Sequence, residues 1–492
     1  MKSNPKHLIT RRKSLAALAS AGAAAYLIPA WNETIEAATV TCSPTTPEVT
    51  EGPYWVDEQL FRSDIRADPS TGIARTGVPL ALAITVINSS AGCAALTGAY
   101  VDIWHCDAKG IYSDEATYNP GGGTGNVTTT GQKFLRGYQL TDSNGLVQFM
   151  TIYPGWYSGR TIHIHVRIRT YNGATVLTNY TTQIFFDETI NNTVMALSQY
   201  SRTSNRDTTN ASDMVYNVAN NTLMLASLTA SGAGYAAAIT IDLAALTSTS
   251  TTPAVAPHAI VNAASGAVGM APGAWVSLFG TNLATASYAA TSADLVGGYL
   301  PTTLQNVSVS IDGKPAYLDY VSPGQLNVLV PSDSNTGSVA VTVTNGNTTS
   351  SSITASMQAI LPGLFTSGGY VIAVRPSDNT IINGTGAAVP GYTTAAAAKA
   401  GDTLEIYGTG FGPTTTSVDP GLVFTGAYPT SAAVTVTLGG VPASVLFAGL
   451  VGAGLYQINV TVPAGLTAGD NAVIASVAGY STQSGGLLKI AT

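Results

Sequence analysis

Apolar and polar positions alternate with a period of two in short runs along the first half of the chain. The runs are Leu80–Ile87, Tyr100–Trp104, Phe134–Leu140, Leu146–Ile152, Ile162–Ile168 and Thr181–Phe186. That period sends successive side chains to opposite faces of a strand. Gly, Asn, Asp or Pro stands close to the ends of each run, so the pattern predicts a β-sandwich or barrel. Asp142-Ser143-Asn144-Gly145 predicts a hairpin between two of the runs. Helical periodicity is confined to one segment near Thr193–Tyr200.

A Thr/Ser/Pro-rich stretch, residues 246–257, reads as a linker, and beyond it the chain repeats itself. Phe279-Gly280-Thr281 returns as Tyr407-Gly408-Thr409, Val309–Pro315 as Val436–Pro442, and Gln325–Pro331 as Gln457–Pro463. The offsets are 128, 127 and 132 residues, so residues 258–358 and 359–492 are two copies of one β module. Each copy is rich in Ser, Thr and Val with Gly-containing turns, as an immunoglobulin-like sandwich is. The Gly-Thr turn and the strands after it resemble IPT/TIG modules. The predicted class is therefore all-β: a sandwich over residues 39–245 followed by two immunoglobulin-like modules.

Only 10% of the 492 residues are charged and 45% are hydrophobic, which excludes an intrinsically disordered chain. A net charge of −7 gives no electrostatic case for nucleic acid, and no long apolar run after the first forty residues makes a polytopic membrane protein. Residues 1–38 have a basic start with Arg11-Arg12, then the Ala-rich stretch Leu15–Ala30. They read as a signal segment resembling the twin-arginine type, with Ser14 where that motif usually has Phe. Without them the charge falls from −7 to −10. An exported chain can form a disulfide among Cys42, Cys93 and Cys106, and Cys42–Cys93 is the expected pair. Whether the signal is cleaved or kept as an anchor, and the oligomeric state, stay open.

Chemistry concentrates in the first half, because residues 259–492 contain no His or Cys and only four basic residues. That half reads as a spacer or a binding module, one that could touch a cell surface or carbohydrate. In the first half, His163-Ile164-His165 puts two imidazoles on one strand face together with Arg167 and Arg169, while Ile162, Ile164, Val166 and Ile168 occupy the other. The apolar face is core. The polar face is either solvated or lines a site, and a His-x-His strand suits a metal. His105 reads as a hydrogen-bonded structural residue, and Tyr138 and Tyr153 as core or rim. The Gly121–Gly125 stretch reads as a mobile pocket lip.

Several ordered motifs surround the His pair: Thr50-Glu51-Gly52-Pro53-Tyr54, Ile103–Ser113, Phe134–Asp142, and Phe149–Tyr157 running through Arg160 into His163. Together, over residues 45–190, they resemble the intradiol ring-cleavage dioxygenases, the family of catechol and protocatechuate dioxygenases. The resemblance implies one non-haem Fe(III) held by Tyr112, Tyr157, His163 and His165. Anionic phenolate oxygens favour Fe(III) as a hard ion, and four ligands leave a position for substrate. It also implies Arg160 as the cation that stabilises charge on the ring, Tyr157 as a ligand that takes part in catalysis, and Tyr54 and Gln183 in the substrate pocket. The implied reaction opens a catechol-type ring between its hydroxyls with O2, giving a cis,cis-muconate-type diacid. Two alternatives remain at this point: an inactive dioxygenase-like surface-binding or adhesion protein, and a zinc or copper site on the His pair.

Overall fold

The computed structural model describes residues 45–491 apart from 143, 173–174, 244–251, 368, 385, 387–388, 390–391 and 425. The signal-like segment and Cys42 lie outside the described residues. The chain forms two compact units, divided at residues 250 and 251. It is nearly all-β, with 45% strand and 6% helix.

Among its described residues the first unit contains nine strands. These are β1 (Pro79–Asn88), β2 (Ala94–Ala95), β3 (Tyr100–Trp104), β4 (Arg136–Leu140), β5 (Leu146–Ile152), β6 (His163–Asn172), β7 (Thr175–Phe185), β8 (Ser227–Ser231) and β9 (Gly234–Leu243). One sheet has the order β4-β3-β6-β7; in the other, β1 pairs with β2, β5 and β9, and β9 with β8. The sheets enclose a core in which Leu80, Leu82, Ile84 and Val86 of β1 meet Val101 and Ile103 of β3. Ile162, Ile164, Val166 and Ile168 are wholly buried in that core, so the period-two reading of the His strand holds. β1 departs from the alternation expected of Leu80–Ile87: all of it after Pro79 is buried, and Thr85 is the one polar residue of that run, as in a strand covered on both faces.

The 142–145 turn is not a hairpin. Gly145 N donates to Asp142 O (3.0 Å), but β4 pairs with β3 and β5 with β1, so the turn carries the chain from one sheet to the other. A sandwich with buried inner faces on both sheets gives each strand the same alternation, whichever sheet it joins. The one α-helix among the described residues, α1 (Glu188–Met195), starts earlier than its periodicity suggests, because Asp187 caps it by accepting from the Thr189 and Ile190 N–H groups. Ser198–Tyr200 is a separate 3-10 turn. Cys93 is disulfide-bonded and Cys106 is a free, buried thiol.

Among its described residues the second unit has two large hydrophobic clusters, one spanning Val255 to Met357 and the other Ile360 to Ile490, and a smaller third that joins Ala263 to Phe365, Tyr407 and Val451. Its first strand, Ala254–Asn262, starts inside the segment read as linker. The sequence repeat is a repeat of register. Strand Trp275–Thr281 pairs with Gln325–Leu329 so that Phe279 faces Gln325, and Thr403–Thr409 pairs with Leu455–Thr461 so that Tyr407 faces Gln457. The glycines that follow Phe279 and Tyr407 are required: a Cβ at Gly280 would overlap the Ala254 carbonyl, and one at Gly408 the Gly363 carbonyl. The two modules are joined by side chains as well as sequence. Trp275 Nε1 donates to Ala453 O (2.8 Å) and Asn262 Nδ2 to Leu361 O (2.8 Å).

Candidate metal centre

Strand β6 enters the sheet with His163 and His165 on the face opposite the core. That face is not solvated, since both imidazoles are almost fully buried. Two long connections close over them. Tyr112 sits in the β3–β4 connection and Tyr157 in the β5–β6 connection, and both are buried in one aromatic cluster with Trp104 and Tyr118. Four polar atoms converge there. Tyr157 Oη lies 3.3 Å from His163 Nε2, His163 Nε2 lies 3.1 Å from His165 Nε2, and His165 Nε2 lies 3.1 Å from Tyr112 Oη.

The donor set fits a metal ion. His163 Nδ1 is 2.6 Å from the Thr161 carbonyl, which can only accept, so Nδ1 carries the proton and Nε2 presents a lone pair to the cluster. His165 Nδ1 is buried and meets no hydrogen-bond partner among the described residues. Two imidazole nitrogens and two phenol oxygens within hydrogen-bond reach of one another, with one lone pair aimed inward, make a compact N2O2 donor set for a cation. Ligands held at ~2.0–2.2 Å from a common ion stand ~3 Å from their neighbours, which is the spacing found. Burial and the nearby Arg160 push the His163 imidazole down to about 3, and burial with His163 pushes His165 well below its usual value, so both stay neutral. Burial drives both phenols above their ordinary range, opposed in each case by Arg160. An ion of high charge would reverse that shift and bind the phenolates.

The other residues expected at the site are brought to it. Arg160 precedes β6; its Nε donates to Asp213 Oδ2 (2.8 Å) and its Nη2 to Gln183 Oε1 (2.5 Å). Gln183 is opposite His165 in the β6–β7 ladder and fully buried, so it is not surface. Tyr54 stacks on Tyr112 with ring centroids 4.4 Å apart and 26° between planes. It also meets Tyr118 and Tyr157 edge-on. His105 lies outside the cluster, its Nδ1 on Cys106 O (2.8 Å) and its Nε2 on Thr151 Oγ1 (2.6 Å), as a structural histidine should.

Four features were not legible in advance. Trp104 stacks on His165 with centroids 4.8 Å apart and 7° between planes, fixing the ring. Gly52, at φ +72°, presses against the same imidazole, where a Cβ would come within 3.1 Å of His165 Cε1. Asp213 lies 53 residues beyond Arg160 in a connection without strand pattern. The Gly-rich stretch is a fastened loop instead of a mobile lip. Arg202 donates to the carbonyls of Pro120, Gly121 and Trp156, and Thr203 Oγ1 to Gly122 O.

Residues 50–215 match the family model described as dioxygenase. This region belongs to the intradiol dioxygenase family. Residues 273–358 match the IPT/TIG domain model, within the first of the two repeated modules. Among solved structures, an intradiol ring-cleavage dioxygenase from Tetranychus urticae is 29% identical over 41% of this chain and 94% of its own, with a TM-score of 0.35. The dioxygenase Tetur07g02040 is 31% identical over 40% and 93%, at a TM-score of 0.33. The dioxygenase domain of a dioxygenase carbohydrate-binding protein fusion from Streptomyces sp. SirexAA-E is 25% identical over 41% and 99%, at 0.29. Comparison with curated proteins gave no match. The intradiol region carries all of the candidate site residues from Tyr54 to Gln183, together with Asp213.

Proposed function

We propose that residues 39–245 form a non-haem Fe(III) dioxygenase that opens a catechol-type ring between its two hydroxyls with O2, yielding a cis,cis-muconate-type diacid. The observation that carries this reading is the convergence of Tyr157 Oη, His163 Nε2, His165 Nε2 and Tyr112 Oη, each 3.1–3.3 Å from the next. A ferric ion held by these four residues would supply the Lewis acidity that draws a catechol into the site as its dianion and opens it to O2. Two phenolates favour that ion over zinc, which prefers N and S donors.

The chain's own groups supply the rest. Burial makes the free Tyr157 phenolate a strong base, so Tyr157 Oη takes the proton of a substrate hydroxyl that displaces it. Arg160 places a fixed cation beside the site, where negative charge grows on the ring. Gln183 holds the plane of that guanidinium through its 2.5 Å hydrogen bond. The Tyr54 ring, stacked on Tyr112, sets an aromatic surface beside the donor cluster.

Residues 1–38 are proposed to export the protein, and the disulfide at Cys93 supports an oxidising destination. The tandem modules, poor in ionisable groups, are proposed to space the enzyme from a cell surface or to contact surface carbohydrate. The enzymatic reading is tested by loading metal-free protein with iron or with zinc and following O2 uptake and diacid formation with catechol. One O2 consumed per ring opened, by the iron form alone, is expected. Equal activity of the zinc form, or O2 uptake without ring opening, contradicts it.

A further inference from the structure

We infer that Asp213 is a positioning residue for Arg160 and, through it, for the strap of chain that roofs the donor cluster. The inference rests on the dioxygenase reading of this site and adds a residue to it. Asp213 is wholly buried. Its Oδ1 accepts from Val215 N (2.8 Å) and Tyr216 N (2.9 Å), and its Oδ2 from Thr161 N (2.8 Å). Three backbone donors therefore fix the carboxylate, and the remaining bond goes from Arg160 Nε to Oδ2 (2.8 Å). A carboxylate so fixed has one orientation to offer the guanidinium.

The hold passes onward. Arg160 Nη2 donates to Gln183 Oε1 (2.5 Å), and Gln183 Nε2 donates to the Thr50 carbonyl (2.9 Å). Thr50 begins the strap that lays Gly52 against the His165 ring and Tyr54 on Tyr112. At its far end Arg136 Nη1 binds the Tyr54 carbonyl (2.6 Å). One unbroken chain of hydrogen bonds thus runs from Asp213 to the roof. A long arginine side chain has many rotamers, and holding it at Nε and Nη2 fixes both position and plane. Misplacement by ~1 Å in an active site can cost on the order of a hundredfold in rate.

Two measurements test this. In the iron-loaded full chain, Asp213→Asn keeps the shape but not the charge. Its kcat on catechol is expected to fall roughly ten- to a hundredfold, with KM and iron content per chain unchanged, since Asp213 touches none of the four donor atoms. A wild-type kcat per iron, or loss of iron in the variant, overturns the inference. The second measurement needs no metal. In metal-free protein labelled with 15N-arginine, the Arg160 Nε–H, identified by its absence in Arg160→Lys, should be protected from solvent exchange. It should lose that protection in Asp213→Asn. Exchange at the rate of free arginine in the wild type overturns the inference even if the variant fails to fold. Wild-type protein that loads iron but opens no catechol would instead sink the functional reading and leave the arginine measurement standing.

Discussion

His105 makes the fold of the first unit sensitive to acid, and the size of the effect follows from its surroundings. The imidazole is wholly buried, donates Nδ1–H to the Cys106 carbonyl and accepts at Nε2 from Thr151 Oγ1. Burial, with a contribution from Arg136, lowers it to about 4, against ~6.5 for an unfolded histidine. The folded state thus refuses a proton that the unfolded state accepts. The stability it contributes is fully present above pH ~6.5 and is lost as pH falls from there towards 4. Linkage over that interval amounts to about 2 kcal/mol between pH 7 and pH 5. Replacing His105 with Gln supplies one donor and one acceptor without a titrating group. The assay is urea unfolding of the metal-free protein at pH 7 and pH 5, followed by near-ultraviolet circular dichroism and the fluorescence of Trp55, Trp104 and Trp156. His163 and His165 are common to both proteins, so their share cancels in the difference. Wild type should lose about 2 kcal/mol more than His105→Gln over the two pH units. Equal losses would show that the imidazole already takes a proton in the folded state at pH 5 and that its burial does not hold it neutral.

Other outcomes follow from the same geometry. His163→Ala should lower iron per chain about tenfold or more while the far-ultraviolet spectrum stays that of a sandwich, because the Ile162, Ile164, Val166 and Ile168 face is untouched; metal analysis and circular dichroism check both. Gly280→Ala should destabilise the second unit by about 1–3 kcal/mol in denaturant unfolding followed by Trp275 fluorescence, since the new Cβ overlaps the Ala254 carbonyl. Deleting residues 252–492 should leave kcat on a soluble catechol unchanged, because the first unit has its own core and all the candidate site residues; a large loss would bring the modules into the mechanism.

The residues that could be read from sequence are those whose meaning is local. His163 and His165 stand two apart on a strand, so their shared face follows from the pleat, and Ile162 to Ile168 mark the core side. Tyr112, Tyr157 and Arg160 come from family motifs at fixed spacing around that strand. The tandem modules were visible because a register repeat leaves a sequence repeat, down to the glycines after Phe279 and Tyr407. What stayed hidden depends on contacts far along the chain. Alternation cannot say which sheet a strand joins, so the β4–β5 turn passed for a hairpin. Glycines 121–125 suggest freedom until Arg202 and Thr203, some 80 residues on, bind their carbonyls. Asp213 carries no motif, and its part follows only from the donors that the fold gathers around it.

Tyr112, Tyr157, His163 and His165 are proposed to hold one ferric ion that takes a catechol. The visible spectrum of the iron-loaded protein, recorded without O2 before and after adding catechol, tests it most directly. A tyrosinate-to-iron charge-transfer band that shifts when catechol binds and bleaches once O2 is admitted is expected. A protein that stays colourless after reconstitution with iron, or a band that catechol leaves unmoved, would contradict it.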